Sequence, residues 1–323
     1  MAALADWFRP GVVDLRQISG GEIEGVLAEE ILAWRDEFLW DFRPSAELVQ
    51  RYVDLGSLSG FALRQNGRVV GYSYYVTEDH KGLVGDLFIG ARDSTLEGET
   101  MLLRATLDGL RSAGTRIHRI ESQLLMLRHA SLPLAEAPYA QLMHAYERVL
   151  MVAPLDHLRP ASARREGCLL DRWHERRQDE AARLIALCYR GHIDSQINDQ
   201  YRSVSGARRF VSNIINYPGC GIFQYPASLI ALDPASGELR GMVLASKVAD
   251  DVGHITQICT HPVSRGQGLG RTLLDQSLAA LAASGCRIVS LTVTAANRPA
   301  VQLYESLGFA VHRRFAAHVW DGL

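Results

Sequence analysis

The feature that most constrains the fold is a strand, turn, helix and strand that follow one another near the C-terminus. Residues 252–260 read V-G-H-I-T-Q-I-C-T, and their β-branched and apolar residues predict a strand. A glycine-rich turn at 265–270 opens into 270–283, whose leucines recur at helical spacing, and 287–294 predict a second strand. Strands joined through a helix are parallel neighbours, so the segment predicts a mixed α/β domain.

The rest of this half adds helices and strands around that segment. Apolar spacing and turn residues predict helices at 179–189, 208–215 and 299–307 and strands at 228–232, 241–248 and 309–320. The fold class expected is α/β (α+β), with a central mixed, mostly antiparallel sheet flanked by helices.

The first half of the chain repeats this plan. It predicts helices at 21–34 and 100–114 and strands at 67–76, 83–89 and 116–124. Gly114 and Gly285 both end a helix and lie 171 residues apart (285 − 114). At that shift the apolar pattern matches without a gap, pairing Thr260 with Ile89, Leu273 with Leu102 and Leu281 with Leu110. We interpret this as an internal duplication, although any two strand–helix–strand units share some of this pattern.

Length and local composition predict two domains. A chain of 323 residues is long for one compact domain. Residues 153–167 contain two prolines, clustered charge and little periodicity, which is typical of a linker. We therefore expect domains at 1–155 and 166–323.

The bulk composition excludes several functional classes. The chain has 34 Lys plus Arg against 36 Asp plus Glu, without the basic excess of nucleic-acid-binding proteins. Its five cysteines have no C-x-x-C spacing, so neither a disulfide framework nor a metal site is expected. No signal peptide or membrane-spanning run is apparent, which favours a cytoplasmic protein.

The turn between strand and helix has the chemistry of a phosphate site. Gly266, Gly268 and Gly270 remove side chains where the helix exposes unpaired N–H groups and the positive end of its dipole. Arg265 and Arg271 add positive charge. A dinucleotide fingerprint would place an acid about twenty residues further on, and a Walker loop would place a lysine after the last glycine. Both are missing, so the turn predicts another pyrophosphate ligand.

The run R-G-Q-G-L-G resembles the R/Q-x-x-G-x-G/A signature of the GNAT superfamily of N-acetyltransferases, and N-R-P-A-V-Q-L-Y-E-S-L-G-F is similar to a second block of that family. The resemblance covers the second half specifically and the first half in layout. It implies that acetyl-coenzyme A is the cofactor. It also implies a cofactor-binding set of Ile258, Cys259, Thr260, Arg265, Gly266, Gln267, Gly268, Leu269, Gly270, Arg271 and Asn297.

The resemblance also implies two catalytic side chains. Tyr304 lies where the family often has the acid that protonates the departing thiolate. A base often lies on the strand before the loop, where His254 is found and where histidine has a suitable pKa. His254 at the start of a strand could equally face solvent, and Cys259 is more typical of a buried small hydrophobe than of a nucleophile.

The acceptor amine is expected near the loop between the first two helices of the second half. This loop carries His192, Asp194, Asn198 and Asp199, whose acids suit a cationic amine. The alternative is an ordinary polar loop held by its own hydrogen bonds.

The first half lacks the residues of the predicted site. At the 171-residue shift Gly268 pairs with Glu97 and Gly270 with Glu99, so two carboxylates replace the glycines. His254 pairs with Leu83. Because like charges repel a pyrophosphate, we expect this degenerate copy not to be catalytic.

The sequence therefore predicts an acetyl-coenzyme-A-dependent N-acetyltransferase that acts directly on a small-molecule amine. A non-catalytic acyl-coenzyme-A-binding or scaffold protein is one alternative, and a tandem acetyltransferase similar to mycothiol synthase is another. Neither a nucleic acid nor a membrane is expected as a partner, and the oligomeric state stays open.

Overall fold

The computed structural model describes residues 10–113, 116–129, 139–156 and 168–323, which form two compact units. The N-terminal unit contains the residues up to Glu37, Asp41–Glu147 and Phe315–Leu323. The C-terminal unit contains Phe38–Trp40 and Arg148–Arg314. The two units are thus not the contiguous ranges 1–155 and 166–323. Most of the expected linker, 157–167, lies outside the described residues.

The N-terminal unit is built on a sheet with the strand order β1-β2-β3-β4-β5-β13. Its described strand pairs are antiparallel apart from β4 and β5, which are parallel. The elements along the chain are β1 (Gly11–Asp14), α1 (Gly20–Phe38), α2 (Arg43–Asp54), β2 (Gly60–Gln65), β3 (Arg68–Glu78), β4 (Lys81–Ile89), α3 (Leu96–Ser112), β5 (Arg119–Gln123) and α4 (Tyr139–Leu142). The last part of β13 (Ala310–Asp321) completes this sheet.

The C-terminal unit has the strand order β7-β9-β10-β11-β12-β6, in which β11 and β12 are parallel. Its first strand along the chain is the last part of β6 (Met143–Pro154), which pairs with β12. The other elements are β7 (Leu169–Arg172), α5 (Gln178–Cys188), α6 (Asp194–Ile197), α7 (Val204–Asn216), β8 (Ile222–Phe223), β9 (Leu229–Leu232), β10 (Leu239–Ala249), β11 (Val252–Thr260), α8 (Leu269–Ala283), β12 (Ile288–Thr294) and α9 (Arg298–Ser306).

The two units share the same local geometry at the predicted shift. In β4 the residue left out of register with β3 is Gly85, and in β11 the residue left out of register with β10 is Thr256. These bulges lie 171 residues apart (256 − 85). The parallel pairing of β4 ends at Val84, and that of β11 ends at Ile255. The duplication predicted from the sequence is confirmed by these features.

The core of the C-terminal unit lies between α8 and the sheet. Leu273, Leu274, Leu278 and Leu281 are fully buried in a cluster with Val243, Ile255 and Val289. Burial of each leucine contributes roughly 2 kcal/mol of stability. The helix ends at Gly285, which has a φ of 91°. The amphipathic helix and the two strands therefore place the loop of residues 261–268 at one end of a rigid layer.

The predicted fold class is confirmed, and β11 has the bounds expected from its sequence. The elements that were not predicted from the sequence are α2, α4, α6, β1, β2, β6, β7 and β8. Strand β6 was missed because its first half is polar and its last residues, Ala153 and Pro154, were assigned to the linker. Pairing with β12 decides its conformation, and that partner is distant in the sequence.

Candidate active site

Strand β11 has an open edge beyond its bulge. Its parallel pairing with β12 covers Val252 to Ile255, and no further partner on that edge is recorded for 256–260 among the described residues. On the other edge, β10 stays paired with β11 as far as Thr260. The predicted residues Ile258, Cys259 and Thr260 therefore lie on a strand whose backbone is open on one side. An extended ligand can add to such an edge through its amides.

The loop after β11 leads into an uncapped helix. Gly268 is the N-cap of α8, has a φ of 84° and offers no side-chain hydrogen bond. Gly266 also has a positive φ, of 69°, and a β-carbon at either glycine would meet no atom within 4 Å. The first helical hydrogen bond runs from Thr272 N to Gly268 O, so the preceding N–H groups point outward. This geometry fits a bound pyrophosphate, which needs free N–H groups and no side chain in the way.

Gly270 is not required by internal packing. A β-carbon there would lie 3.7 Å from side-chain atoms of Leu303 and Thr260, which is an ordinary contact. The neighbouring Leu269 is 1% exposed and belongs to the hydrophobic core, so only its backbone is available to a ligand.

The polar side chains of the loop are held by neighbouring residues. Arg265 Nη2 donates to Cys188 O at 3.0 Å, and Gln267 Nε2 donates to Val263 O at 2.8 Å. Arg271 Nη1 donates to Ser306 Oγ at 3.1 Å. Both arginines keep their charge beside the start of α8 while being oriented by these contacts.

The two residues expected from the second sequence block lie at the start and middle of α9. Asn297 is its N-cap, and its Oδ1 accepts from Ala300 N at 3.4 Å. Tyr304 is 7% exposed, and its hydroxyl has no hydrogen-bond partner within the described part of the chain. Burial raises the pKa of Tyr304, so its phenol stays protonated and can donate.

His254 is buried on β11 and has an oriented ring. Its Nδ1 lies 2.9 Å from Ser290 Oγ, and that hydroxyl donates to Gly253 O at 3.4 Å. In the tautomer in which Nδ1 carries the imidazole proton and donates to Ser290 Oγ, Nε2 has the free lone pair. Burial lowers the pKa of His254 to about 4, which keeps the ring neutral near pH 7.

Cys259 does not have the character of a nucleophile. It is 8% exposed and packs in the apolar cluster between α5, α7 and the sheet. A hydrogen bond with Cys188 and burial raise the pKa of its thiol. Cys188 in turn donates to Thr260 O at 3.1 Å. The thiol therefore stays protonated, which agrees with the small-hydrophobe interpretation.

Of the four predicted acceptor residues, Asp194 has the most informative contacts. Its carboxylate accepts from the Thr294 hydroxyl and from Arg148 Nη1, the latter at 3.2 Å. Arg148 Nη1 also donates to Thr294 Oγ1 at 3.0 Å. Asp194 raises and Arg148 lowers the pKa of Tyr304, which places both charges within electrostatic range of that phenol. The hydrogen bonds join β6, β12 and α6.

The other acceptor candidates have local roles. His192 Nδ1 accepts from Asp194 N at 3.2 Å, and Asn198 Oδ1 accepts from Gln200 N at 3.0 Å. Asn198 thereby caps the short 3-10 helix that contains Asp199. Hydrogen bonds of this kind hold polar loops in shape, as the alternative interpretation expected.

A second polar group lies beside β11. Gln257 Nε2 donates to Tyr189 Oη at 2.9 Å, and the rings of Tyr189 and Tyr201 stack at 4.3 Å. Burial raises the pKa of both tyrosines, so they remain neutral. The signal for Gln257 was a polar residue that lies among apolar and β-branched residues on the strand and is 5% exposed in the structure. Arg148 and Thr294 gave no such signal, because their contacts are long-range.

The corresponding helix start in the N-terminal unit is capped. Thr95 Oγ1 accepts from Gly98 N at 3.0 Å at the beginning of α3. Glu99 is 2% exposed and accepts from Arg128 N and His129 N, both at 3.1 Å. A side chain thus satisfies the Gly98 N–H at this helix start, and the Glu99 carboxylate lies in the first turn beside it.

Two further properties concern the described residues as a whole. They contain no group of three or more His, Cys, Asp or Glu side chains suited to hold a metal ion. None of the helices among them has the length and apolar character needed to cross a membrane.

Known proteins resemble this chain in sequence and in fold. The family model described as the GNAT family of acetyltransferases matches residues 197–309. The mycothiol acetyltransferase of Thermobispora bispora is 27% identical over 301 residues, which cover 92% of this chain and 95% of that protein.

Two solved structures share the fold over the whole chain. A GCN5-related N-acetyltransferase from Sphaerobacter thermophilus has a TM-score of 0.68 at 18% identity, covering 96% of this chain and 95% of its own. A tandem GNAT protein from the clavulanic acid biosynthesis pathway has a TM-score of 0.60 at 15% identity, covering 98% and 99%. The family match falls on the residues of the β11–α8 site, and the relatives extend over both units. The C-terminal unit therefore resembles GNAT acetyltransferases in sequence over residues 197–309, and the whole chain shares its fold with solved GNAT structures.

Proposed function

We propose that the C-terminal unit transfers an acetyl group from acetyl-coenzyme A directly to the amine of a small molecule. The observation that carries this proposal is the uncapped start of α8, which directly follows the open edge of β11. Residues 266–271 would hold the pyrophosphate, and the backbone of Ile258, Cys259 and Thr260 would pair with the pantetheine arm. Acetyl-coenzyme A supplies the activated acetyl thioester when bound.

Two side chains of this unit carry the proton transfers. His254 accepts a proton at Nε2 from the attacking amine, because its ring is neutral and Nδ1 is engaged with Ser290. Tyr304 donates its phenolic proton to the sulfur as the C–S bond breaks and the C–N bond forms. Both residues act in the protonation state that burial favours for them.

The acceptor side of the site is polar and aromatic. Asp194 offers a carboxylate held by Thr294 and Arg148, and Tyr189 and Gln257 offer neutral hydrogen-bonding groups. This chemistry suits an amine with hydroxyl or amide groups around it. The whole-length similarity to a mycothiol acetyltransferase supports an amine precursor of mycothiol as the first acceptor to test.

The N-terminal unit does not bind coenzyme A in this account. Thr95 and Glu99 already satisfy N–H groups near the start of α3, and the Glu99 carboxylate would repel a pyrophosphate. The degenerate copy keeps the fold and has lost the ligand site.

A thiol-release assay with acetyl-coenzyme A and a panel of amines tests the proposal. Tyr304→Phe is expected to lower kcat about 100-fold while acetyl-coenzyme A binding is unchanged, because the phenol acts only as an acid. Tyr52→Phe, at an exposed tyrosine, is the control and should match the wild type. If acetyl-coenzyme A binds and no amine releases thiol, the chain is an acyl-coenzyme-A-binding scaffold.

A further inference from the structure

Three residues from the first half of the chain belong to the C-terminal unit. Phe38, Leu39 and Trp40 group with it although the residues on both sides belong to the N-terminal unit. Within the C-terminal unit, the ring of Trp40 lies 5.1 Å from the imidazole of His254, with an interplanar angle of 57°. The segment 38–40 therefore brings an aromatic ring onto the residue proposed as the base.

The backbone of this segment has an unusual conformation. Leu39 has a φ of 60°, in the left-handed region that costs a residue with a β-carbon about 1 kcal/mol or more. Phe38 is 1% exposed, and the Arg313 guanidinium lies 4.9 Å from its ring centroid. Leu39 directly follows Phe38, the last residue of α1, at a position where helices often end in the left-handed conformation. Such strain persists only where the surroundings hold it, and it is found often at functional sites.

The described residues that face His254 from the two neighbouring strands carry no charge. Ser246 of β10 and Ser290 of β12 are its register partners on the two neighbouring strands, so their side chains share its face of the sheet. Ser290 contacts Nδ1, and Ser246 Oγ is buried without a hydrogen-bond partner among the described residues. Trp40 covers the imidazole from the segment 38–40. Within the described part of the chain, burial alone shifts the pKa of this ring, so its protonation depends on its exclusion from water.

We propose that Trp40 is a positioning residue of the active site, which covers His254, excludes water from it and keeps Nε2 free to accept the proton of the acceptor amine. This inference rests on the proposed function of the C-terminal unit. The proton passes from the amine nitrogen to Nε2, while Nδ1–H continues to donate to Ser290. In the sequence, Trp40 lies between two segments of the N-terminal unit, yet it acts at the site of the C-terminal unit.

The direct test is an NMR titration of the His254 ring in the full chain without ligand. The wild type is expected to titrate at about 4, whereas Trp40→Ala should move the pKa of His254 by one unit or more towards 6.5. Trp40→Phe, which keeps a ring, should restore a value close to that of the wild type. Trp40→Leu keeps apolar bulk and gives an intermediate value, and it replaces the alanine variant if that variant does not fold.

Kinetics separate a positioning role from a purely structural one. Neutral His254 is the active form, and the variant should lose it at a higher pH than the wild type. The kcat/KM of Trp40→Ala, divided by that of the wild type, should therefore decrease as the pH is lowered from 7 to 5. The dissociation constant of acetyl-coenzyme A should be unchanged. An identical His254 titration in Trp40→Ala and wild type overturns the inference, as does a titration shift that the pH–rate profile does not follow. Failure of the wild type to bind acetyl-coenzyme A is a different result, which overturns the proposed function itself.

Discussion

Gly253 and Leu281 pack so closely that a β-carbon on residue 253 would lie 2.8 Å from Leu281 Cδ1. The N-terminal unit has the same relationship, because a β-carbon on Gly82 would lie 2.6 Å from Leu110 Cδ2. Both pairs join a strand to the helix that follows it, and both are related by the 171-residue shift. The duplication thus preserved a helix-to-strand contact in both units.

Substitution of either glycine is expected to destabilise its own unit. Gly253→Ala and Gly82→Ala should each lower the free energy of unfolding by about 1–3 kcal/mol, since a buried leucine must move. Chemical denaturation measures this loss. Gly25→Ala in α1, where a β-carbon would meet nothing within 4 Å, is the control and should be neutral or slightly stabilising. Equal effects at all three positions would contradict the packing argument.

A buried carboxyl pair in the N-terminal unit makes stability depend on pH. Glu30 Oε2 accepts from Tyr72 Oη at 2.7 Å, and Asp86 Oδ1 accepts from Leu87 N at 2.8 Å. Burial and the neighbouring Asp86 raise the pKa of Glu30, and burial raises the pKa of Asp86 to about 6. A carboxyl whose pKa is raised by folding contributes its full stabilisation at pH values below its pKa in the unfolded state, which is about 4. This contribution is lost as the pH rises through the pKa of the folded state.

We therefore expect the melting temperature to decrease as the pH rises from 5.5 to 8. The decrease should correspond to a loss of about 1–3 kcal/mol in the free energy of unfolding. Glu30→Gln should flatten this dependence, because an amide hydrogen-bonds Asp86 without a titrating proton. Glu97→Gln, at an exposed glutamate of the same unit, should leave the wild-type slope. An unchanged slope in Glu30→Gln is the result that this explanation does not allow.

The Arg148–Asp194 pair should be costly to break from one side. The two side chains are 13% and 14% exposed, so removing one leaves a poorly solvated charge. Arg148→Ala is expected to lower the free energy of unfolding by about 2–4 kcal/mol, and the double variant with Asp194→Ala should recover part of it. Arg177→Ala removes a more exposed partner of Glu180 and should cost less than about 1 kcal/mol. Additive losses in the Arg148–Asp194 cycle would mean that the two charges do not interact.

The sequence predicted the parts of the molecule that are built from adjacent residues. The β11–loop–α8 segment could be read because its strand period, glycines and helix period are consecutive. The same holds for Glu97 and Glu99, whose spacing indicated a changed loop in the first half.

The rest depends on contacts between residues far apart in the chain. Thr294 and Asp194 are separated by 100 residues, and Arg148 and Thr294 by 146. Trp40 reaches His254 from the other half of the chain. Neither local propensity nor periodicity contains such pairings, so the sequence predicted neither the partners of Asp194 nor the contact between Trp40 and His254.

The central claim is that one unit of this chain binds acetyl-coenzyme A, at the uncapped start of α8. Isothermal titration calorimetry on the wild type, Gly268→Glu and Gly268→Asn tests it. Asparagine tolerates the left-handed φ of 84° without adding charge, so that variant controls for backbone strain. The account predicts one site per chain in the wild type, a weaker site in Gly268→Asn and none in Gly268→Glu. Two sites in the wild type, or unchanged binding in Gly268→Glu, would contradict it.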